Sequence, residues 1–216
     1  MAKHHKDLTV DKISEKAMES ADTHGVDPLT MRSLAKELGV TPMSLYRHVA
    51  NKEDLLDKMV DVVFSEIELP IIGGDWHTEM RKRAISTREV LLRHKWALGL
   101  VDSRTQPGLA MQIHHNAVIG TLREGGFSVP FTTQAFTILD AYIFGFILQE
   151  ISLPLGDEGD FSEVGESAVA TLDNNAFPYL TELALDNLAQ SNFNFGDLFK
   201  TGLNIVLEGL AIYANA

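Results

Sequence analysis

Apolar residues recur every three to four positions along most of this chain, and that period predicts α-helices and almost no strands. The first four helices are each preceded by a residue whose side chain can accept a hydrogen bond from an unpaired backbone N–H. These residues are Thr9, Thr30, Thr41 and Asn51. The helix after Asn51 carries a long apolar face to Ile67, and proline and glycine then interrupt the pattern. The chain is therefore predicted to be all-α, with a domain boundary between Glu68 and Asp75.

The stretch from Leu29 to Lys52 predicts two short helices joined by a tight turn. The first must end at Gly39, because glycine adopts the left-handed backbone conformation without a steric penalty. Pro42 suits the first position of the second helix, where no backbone N–H is needed. This is the geometry of a helix-turn-helix, whose second helix enters the major groove of DNA.

Polar groups in and around this motif suit DNA. Arg32, Thr41, Met43 and Ser44 are predicted to lie at base edges, with Pro42 beginning the helix that carries most of them. Thr30, Tyr46, Arg47, His48 and Lys52 are predicted to lie mainly at phosphates. Arg32 is the predicted guanine reader, because bidentate contact to guanine discriminates by about 1–3 kcal/mol. Lys52 begins a helix, where the dipole disfavours a cation, and a nearby phosphate would remove that conflict.

These residues resemble those of a known family. The block from Leu29 to Leu56, with Thr9 to Gly25 ahead of it, is similar to the N-terminal domain of TetR-type transcriptional regulators, and LGVTPMSLYRHVANKEDLLD matches their signature. A weaker similarity to the C-terminal domain of the tetracycline-repressor branch continues through Trp76, LLRHKWALGL and LREGGF. The resemblance implies an N-terminal three-helix DNA-binding domain with its connecting helix (1–68) and a larger helical bundle for ligand binding and dimerisation (75–216).

The pattern predicts further helices after Asp75. Charged residues of the first of them are predicted to face water; they are Arg81, Lys82, Arg83 and Arg88. A turn at Gln106-Pro107-Gly108 precedes a helix that ends at Gly125-Gly126. A loop rich in glycine and acidic residues follows Pro154, and a helix is predicted from Tyr179 to Gln190.

Two late segments are unusually apolar. Residues Phe131 to Leu153 are long enough to cross a membrane, but Gln134, Asp140, Gln149 and Glu150 argue against that interpretation. The helix predicted from Phe195 to Tyr213 carries too much apolar surface for a free monomer. We therefore expect both segments to pair with their copies in the four-helix interface of a homodimer.

The resemblance also implies a small-molecule effector inside the C-terminal bundle. The residues predicted to contact it are Trp96, Met111, His114, Phe127, Phe131, Gln134, Phe136 and Gln149, although any one residue of this kind is more often part of a bundle core than of a pocket. Where the tetracycline-repressor branch has its magnesium-binding histidine, this chain has LVDSRTQPG. Magnesium-tetracycline is therefore not the expected effector, no metal or cofactor is predicted, and a largely apolar or aromatic molecule fits better.

The charge distribution bears on the DNA partner. The net charge is −12, and residues 151–216 hold one basic residue against ten acidic ones, whereas residues 1–66 hold nine against twelve. DNA affinity depends on the local field at the contact surface, so an acidic distal part is compatible with binding. The absence of cysteine and of an apolar signal-peptide core at the start fits a cytoplasmic protein.

Catalysis has little support in the sequence. No HExxH, GxSxG or phosphate-loop motif occurs, and the adjacent His114 and His115 point about 100° apart on a helix. We expect a repressor, not an enzyme, that a ligand releases from a near-palindromic operator. The alternative is a small-molecule-binding or catalytic helical bundle with a vestigial DNA-binding head, which the acidic N-terminal third favours.

Overall fold

The computed structural model describes residues 8–101, 108–153, 169–173, 175–189 and 194–214. The helices with defined bounds are α1 (Val10–His24), α2 (Met31–Glu37), α3 (Pro42–Leu45), α4 (Lys52–Glu66), α5 (Trp76–Arg93), α6 (Lys95–Val101), α7 (Leu109–Glu124), α8 (Val129–Ser152), α9 (Pro178–Ala189) and α10 (Leu198–Ala211). No strand occurs within these ranges, so the all-α prediction is confirmed. Residues 106 and 107 of the predicted turn, the acidic loop after Pro154 and Gln190 lie outside the described residues.

The four predicted caps are confirmed. The hydroxyls of Thr9, Thr30 and Thr41 accept hydrogen bonds from the backbone N–H three residues later, and the Asn51 side chain does the same for α4. Each bond satisfies a donor that the first turn of a helix leaves unpaired. Helices α1 to α4 therefore begin where the local sequence fixes them.

Helix α4 packs against both parts of the protein. It contacts α1 on one side and α7 on the other. The carboxylate of Asp61, on α4, accepts a hydrogen bond from the backbone N–H of Met111 at 3.1 Å, in the first turn of α7. A Cβ atom at Gly108 would come within 2.3 Å of the Asp61 side chain, so this approach needs glycine. A residue of the connecting helix thus caps a helix of the bundle.

The prediction that Arg83 and Arg88 face water is wrong. Arg83 is only 1% exposed and pairs with Asp140, while Arg88 pairs with Glu150. Both partners lie on α8, which packs against α5 and presents its few carboxylates to those arginines. Helix α8 is long and apolar enough to cross a membrane by composition alone. Its ion pairs and its buried stripe, however, are those of a bundle helix.

Candidate DNA-binding surface and effector cavity

The helix-turn-helix has the backbone that its sequence predicts. Gly39 has φ of +67°, and the N–H of Val40 returns to the carbonyl of Ala35 at 2.9 Å, which closes the turn after α2. Pro42 then begins α3, and Leu45 is fully buried beneath it. Because Leu45 anchors α3 to the core, the outward side of this short helix is held at a fixed orientation.

Most of the residues predicted to bind DNA are exposed. Met43 is 68% exposed and Tyr46 is 48% exposed. His48 and Lys52 are half-buried. The other exposed members of the set are Thr30, Arg32, Thr41, Pro42 and Arg47.

Internal partners bear on the predicted DNA-binding roles of Ser44 and Lys52. Ser44 is only 8% exposed, and its hydroxyl lies 2.9 Å from that of Thr41, so burial does not fit the predicted role at a base edge. The ammonium group of Lys52 donates to the backbone carbonyls of Val26 at 2.9 Å and Asp27 at 3.5 Å. These carbonyls offset the unfavourable dipole at the start of α4, which removes the argument that a phosphate must do so. Sequence spacing did not reveal these two carbonyls, because they lie more than twenty residues before Lys52 in the chain.

Five of the twelve acidic residues in positions 1–66 lie together on another surface. Carboxylates of α1 and α4 line a cavity of about 490 Å³ that includes His94; they belong to Asp11, Glu15, Glu19, Asp22 and Glu66. Arg32 and Arg47 lie instead on α2 and directly after α3. Part of the negative charge of the N-terminal part therefore lies near the bundle, while Glu37 on α2 and Glu53 and Asp54 in the first turn of α4 remain close to the helices that would meet DNA.

A junction cluster joins the N-terminal helices to the bundle; it consists of Asp22, Glu66, Arg93, His94 and Trp96. The two ring nitrogens of His94 lie 2.8 Å from a carboxylate oxygen of Asp22 and 3.3 Å from one of Glu66. Trp96 donates its indole N–H to Asp22 at 2.6 Å, and Arg93 pairs with Glu66 at 2.6 Å. Trp96, predicted to contact an effector, therefore lies at the junction between α1 and the bundle.

A second cavity, of about 520 Å³, lies between α6 and α8 and is called here the α6/α8 groove. Its lining residues are Leu98, Gly99, Phe136, Thr137, Asp140, Ala141, Phe144, Gly145 and Leu148. Of the eight residues predicted to contact an effector, Phe136 alone lines it. The sequence analysis did not predict the other residues that line the groove. The helical spacing was a usable signal, because Phe136, Asp140, Phe144 and Leu148 recur at intervals of four, which places them on one helix face.

Behind the groove, Asp140 belongs to a buried polar cluster with Arg83 and His114. Arg83 donates through Nη2 to Asp140 at 2.5 Å and through Nε to His114 at 3.4 Å. Burial, then the charge of Arg83 and then that of His115, lower the pKa of His114 to about 3. His114 is therefore neutral near pH 7 and accepts through Nε2, which leaves its proton on Nδ1. Within the described residues, neither this Nδ1 nor Nη1 of Arg83 has an acceptor.

The remaining predicted effector residues are dispersed. Met111 is buried near Asp61, and Phe127 is buried edge-on against Trp76 at 4.9 Å between ring centroids. Phe131 stacks on Tyr213, and Gln134 and Gln149 are exposed on α8. The eight residues therefore do not line one described cavity. The prediction grouped them because helical spacing alone does not tell which buried face borders a cavity and which borders another helix.

The described arrangement matches known proteins along nearly its whole length. Residues 13–59 match the model of the family described as bacterial regulatory proteins, tetR family, and residues 70–213 match the tetracyclin repressor-like C-terminal domain. The HTH-type transcriptional repressor DrrR1 of Streptomyces coeruleorubidus is 29% identical over 95% of this chain and 78% of its own. The class A tetracycline repressor from transposon 1721 of Escherichia coli is 29% identical over 90% of this chain and 87% of its own.

A solved structure agrees with these relatives. The TetR family protein ActR of Streptomyces coelicolor, in complex with actinorhodin, superposes with a TM-score of 0.79 and 28% identity, covering 97% of this chain and all of that one. A helix-turn-helix followed by a helical bundle defines the class of ligand-responsive DNA-binding transcriptional regulators. Within that class the chain belongs to the TetR family, which confirms the prediction from its signature.

Proposed function

We propose that this protein is a cytoplasmic homodimeric repressor that binds a near-palindromic operator and is released by a small apolar or aromatic effector. The observation that carries the proposal is the exposed surface of the helix-turn-helix, where the side chains of Arg32, Met43, Tyr46 and Arg47 are all accessible. Repression by the relative DrrR1 and the ligand complex of ActR support the same assignment. These relatives are transcriptional regulators, and we propose no catalytic activity.

The dimer proposal rests on the outer faces of α8 and α10. Ile205, on α10, is 70% exposed, and Ile212, directly after it, is 75% exposed. The α8 face carries exposed Ile138, which does not line the α6/α8 groove. Apolar faces of this extent on adjacent helices favour burial against a second copy, and the pairing of α8 and α10 with their copies is the predicted four-helix interface.

A glycine in the α10 face would let two copies approach closely. A Cβ atom at Gly209 would meet no atom within 4 Å, so this position does not need glycine for packing inside one chain. It costs helix stability relative to alanine, by about 0.5–1 kcal/mol. Contact between helix backbones across the dimer would explain why the chain carries glycine there.

In this proposal Arg32, Thr41 and Met43 face base edges, while Thr30, Tyr46, Arg47 and His48 contact phosphates. Ser44 instead orients the hydroxyl of Thr41. Lys52 has carbonyl partners, yet an ammonium group has three donors and can also reach a phosphate.

Release would depend on α4. Its Phe64 lies edge-on to His114, with 5.5 Å between ring centroids, and its Glu66 holds His94 in the junction cluster. An effector that binds better when α4 has swung would change the separation of the two DNA-binding heads. The heads would then no longer fit successive major grooves.

The test is selection of DNA from a random pool by the wild-type protein, followed by anisotropy titrations of the selected sequence at two salt concentrations. Arg32→Ala should lose most of the preference for that sequence over competitor DNA, whereas Lys36→Ala, which removes an exposed charge from the same helix, should keep it. Unchanged selectivity in Arg32→Ala would refute the role of that residue. Failure of the wild type to bind any sequence in the presence of competitor would favour the alternative of a bundle with a vestigial head.

A further inference from the structure

The α6/α8 groove is apolar except at one place. Leucine, phenylalanine, alanine and glycine make up most of its lining, and Asp140 is the one charged residue among the lining residues. The other polar side chain there, Thr137, is exposed on the outer side of α8. An occupant of the groove therefore meets a mostly apolar surface with a single strong hydrogen-bond acceptor.

The charge of that acceptor is already balanced. Arg83 lies directly behind it, donating to one carboxylate oxygen of Asp140 at 2.5 Å, and is itself almost completely buried. The His114 ring lies beside the Arg83 side chain and carries no charge near pH 7, since burial keeps the pKa of His114 near 3, and the Thr87 hydroxyl donates to the backbone carbonyl of Arg83. Asp140 and Arg83 thus form a neutral pair whose position is fixed from the protein side.

This neutral pair distinguishes between classes of ligand. A ligand carboxylate would place a second negative charge beside Asp140, and a ligand ammonium would add a second positive charge to that of Arg83, and neither would find an unpaired counter-charge among the lining residues. A neutral hydroxyl adds no charge and donates a hydrogen bond to an ionised acceptor, which is the stronger kind.

We propose that the effector is an uncharged, mainly aromatic molecule that donates a hydroxyl hydrogen bond to Asp140. The inference rests on the proposed function, because it takes the α6/α8 groove to be the effector site. It narrows the predicted apolar or aromatic molecule to one with a phenol or alcohol group.

The test uses four two-ring probes of similar size: 2-naphthol, 2-methoxynaphthalene, 2-naphthoate and 2-(aminomethyl)naphthalene. Binding of each to the full-length protein at pH 7 is measured by equilibrium dialysis. 2-Naphthol should bind at least about tenfold more tightly than its methyl ether, which cannot donate, and more tightly than either charged probe. Equal or tighter binding of the ether or of a charged probe, or no measurable binding of 2-naphthol, would overturn the proposal.

Variants must separate the hydrogen bond from folding. Asp140→Leu alone would leave Arg83 buried without its partner and can prevent folding. The double variant Arg83→Met with Asp140→Leu replaces the pair by apolar side chains of similar volume, and it should bind 2-naphthol and its ether within about twofold of each other. The control, Thr137→Val, removes the other polar lining group and should keep the tenfold preference. A preference that survives in the double variant would refute the role of Asp140.

A groove-filling variant, Ala141→Trp, distinguishes failure of this inference from failure of the proposed function. If it abolishes binding of the probes but the wild type has no preference for 2-naphthol, the groove is the site and only the ligand class is wrong. If probe binding is unchanged by Ala141→Trp, both the effector location and the inference fail. If 2-naphthol shows the predicted preference but does not weaken binding of the selected DNA, release through this groove is wrong while its ligand class stands.

Discussion

The cap that α4 provides for α7 gives a prediction whose size follows from the structure. Asp61 accepts the N–H of Met111, the third residue of α7, and Gly108 provides no side chain that could replace it. Removing a capping side chain costs about 1 kcal/mol, and removing a negative charge near a helix N-terminus costs about 0.3–1 kcal/mol more. Asp61→Ala should therefore lower the free energy of unfolding by about 1–2 kcal/mol.

Urea denaturation followed by circular dichroism, at one fixed protein concentration, measures that loss. Asp61→Asn keeps an acceptor but not the charge, so it should lose only about 0.3–1 kcal/mol. Glu89→Ala, which removes an exposed carboxylate from α5, should change stability by less than about 0.5 kcal/mol. If Asp61→Ala matched Glu89→Ala, the cap between α4 and α7 would not contribute to stability.

Three further predictions use other parts of the structure. Gly209→Leu should shift the protein toward monomer in analytical ultracentrifugation while Gly209→Ala does not, and an unchanged dimer would refute close approach at α10. Because the pKa of His114 is lowered to about 3 from 6.5, the unfolded chain takes up this proton first, so stability should fall as pH drops from 6.5 toward 3, by at most about 1.4 kcal/mol per pH unit. Urea denaturation at several pH values should show that the free energy of unfolding falls less with pH in His114→Gln than in the wild type, whereas the exposed control His24→Gln should fall as much as the wild type. Equal falls in all three proteins would contradict the lowered pKa of His114. Lys52→Ala should weaken binding to all DNA sequences alike and shallow the salt dependence, whereas a selective loss would mean that it reads bases.

Local features of the fold could be predicted from the sequence because their causes are local. Thr30, Gly39, Thr41 and Asn51 act on backbone groups within a few residues, so cap and turn chemistry is sufficient to locate the helix-turn-helix.

Features that depend on distant partners could not be predicted in this way. The partner of Arg83 is Asp140, on another helix, and a charged residue in a helical pattern is ordinarily assigned to water. The candidate effector cavity was missed for a related reason. Its α8 residues share a face with Phe136, but the gap between that face and α6 exists only in three dimensions.

The contacts of α4 supply the physical link between a ligand in the bundle and the DNA-binding head. Phe64 packs against His114 and His115, Asp61 caps α7, and Glu66 reaches His94, so three residues within the last two turns of α4 are tied to the bundle. At its other end, α4 begins directly after the DNA-binding segment and holds Val26 through Lys52. In the proposed mechanism, a ligand that draws Asp140 toward the groove acts on Arg83, and through it on the histidine against which Phe64 packs. We therefore expect a shift of α7 to move α4 and the segment attached to its first turn, and in the proposed homodimer that shift would change the distance between the two DNA-binding heads.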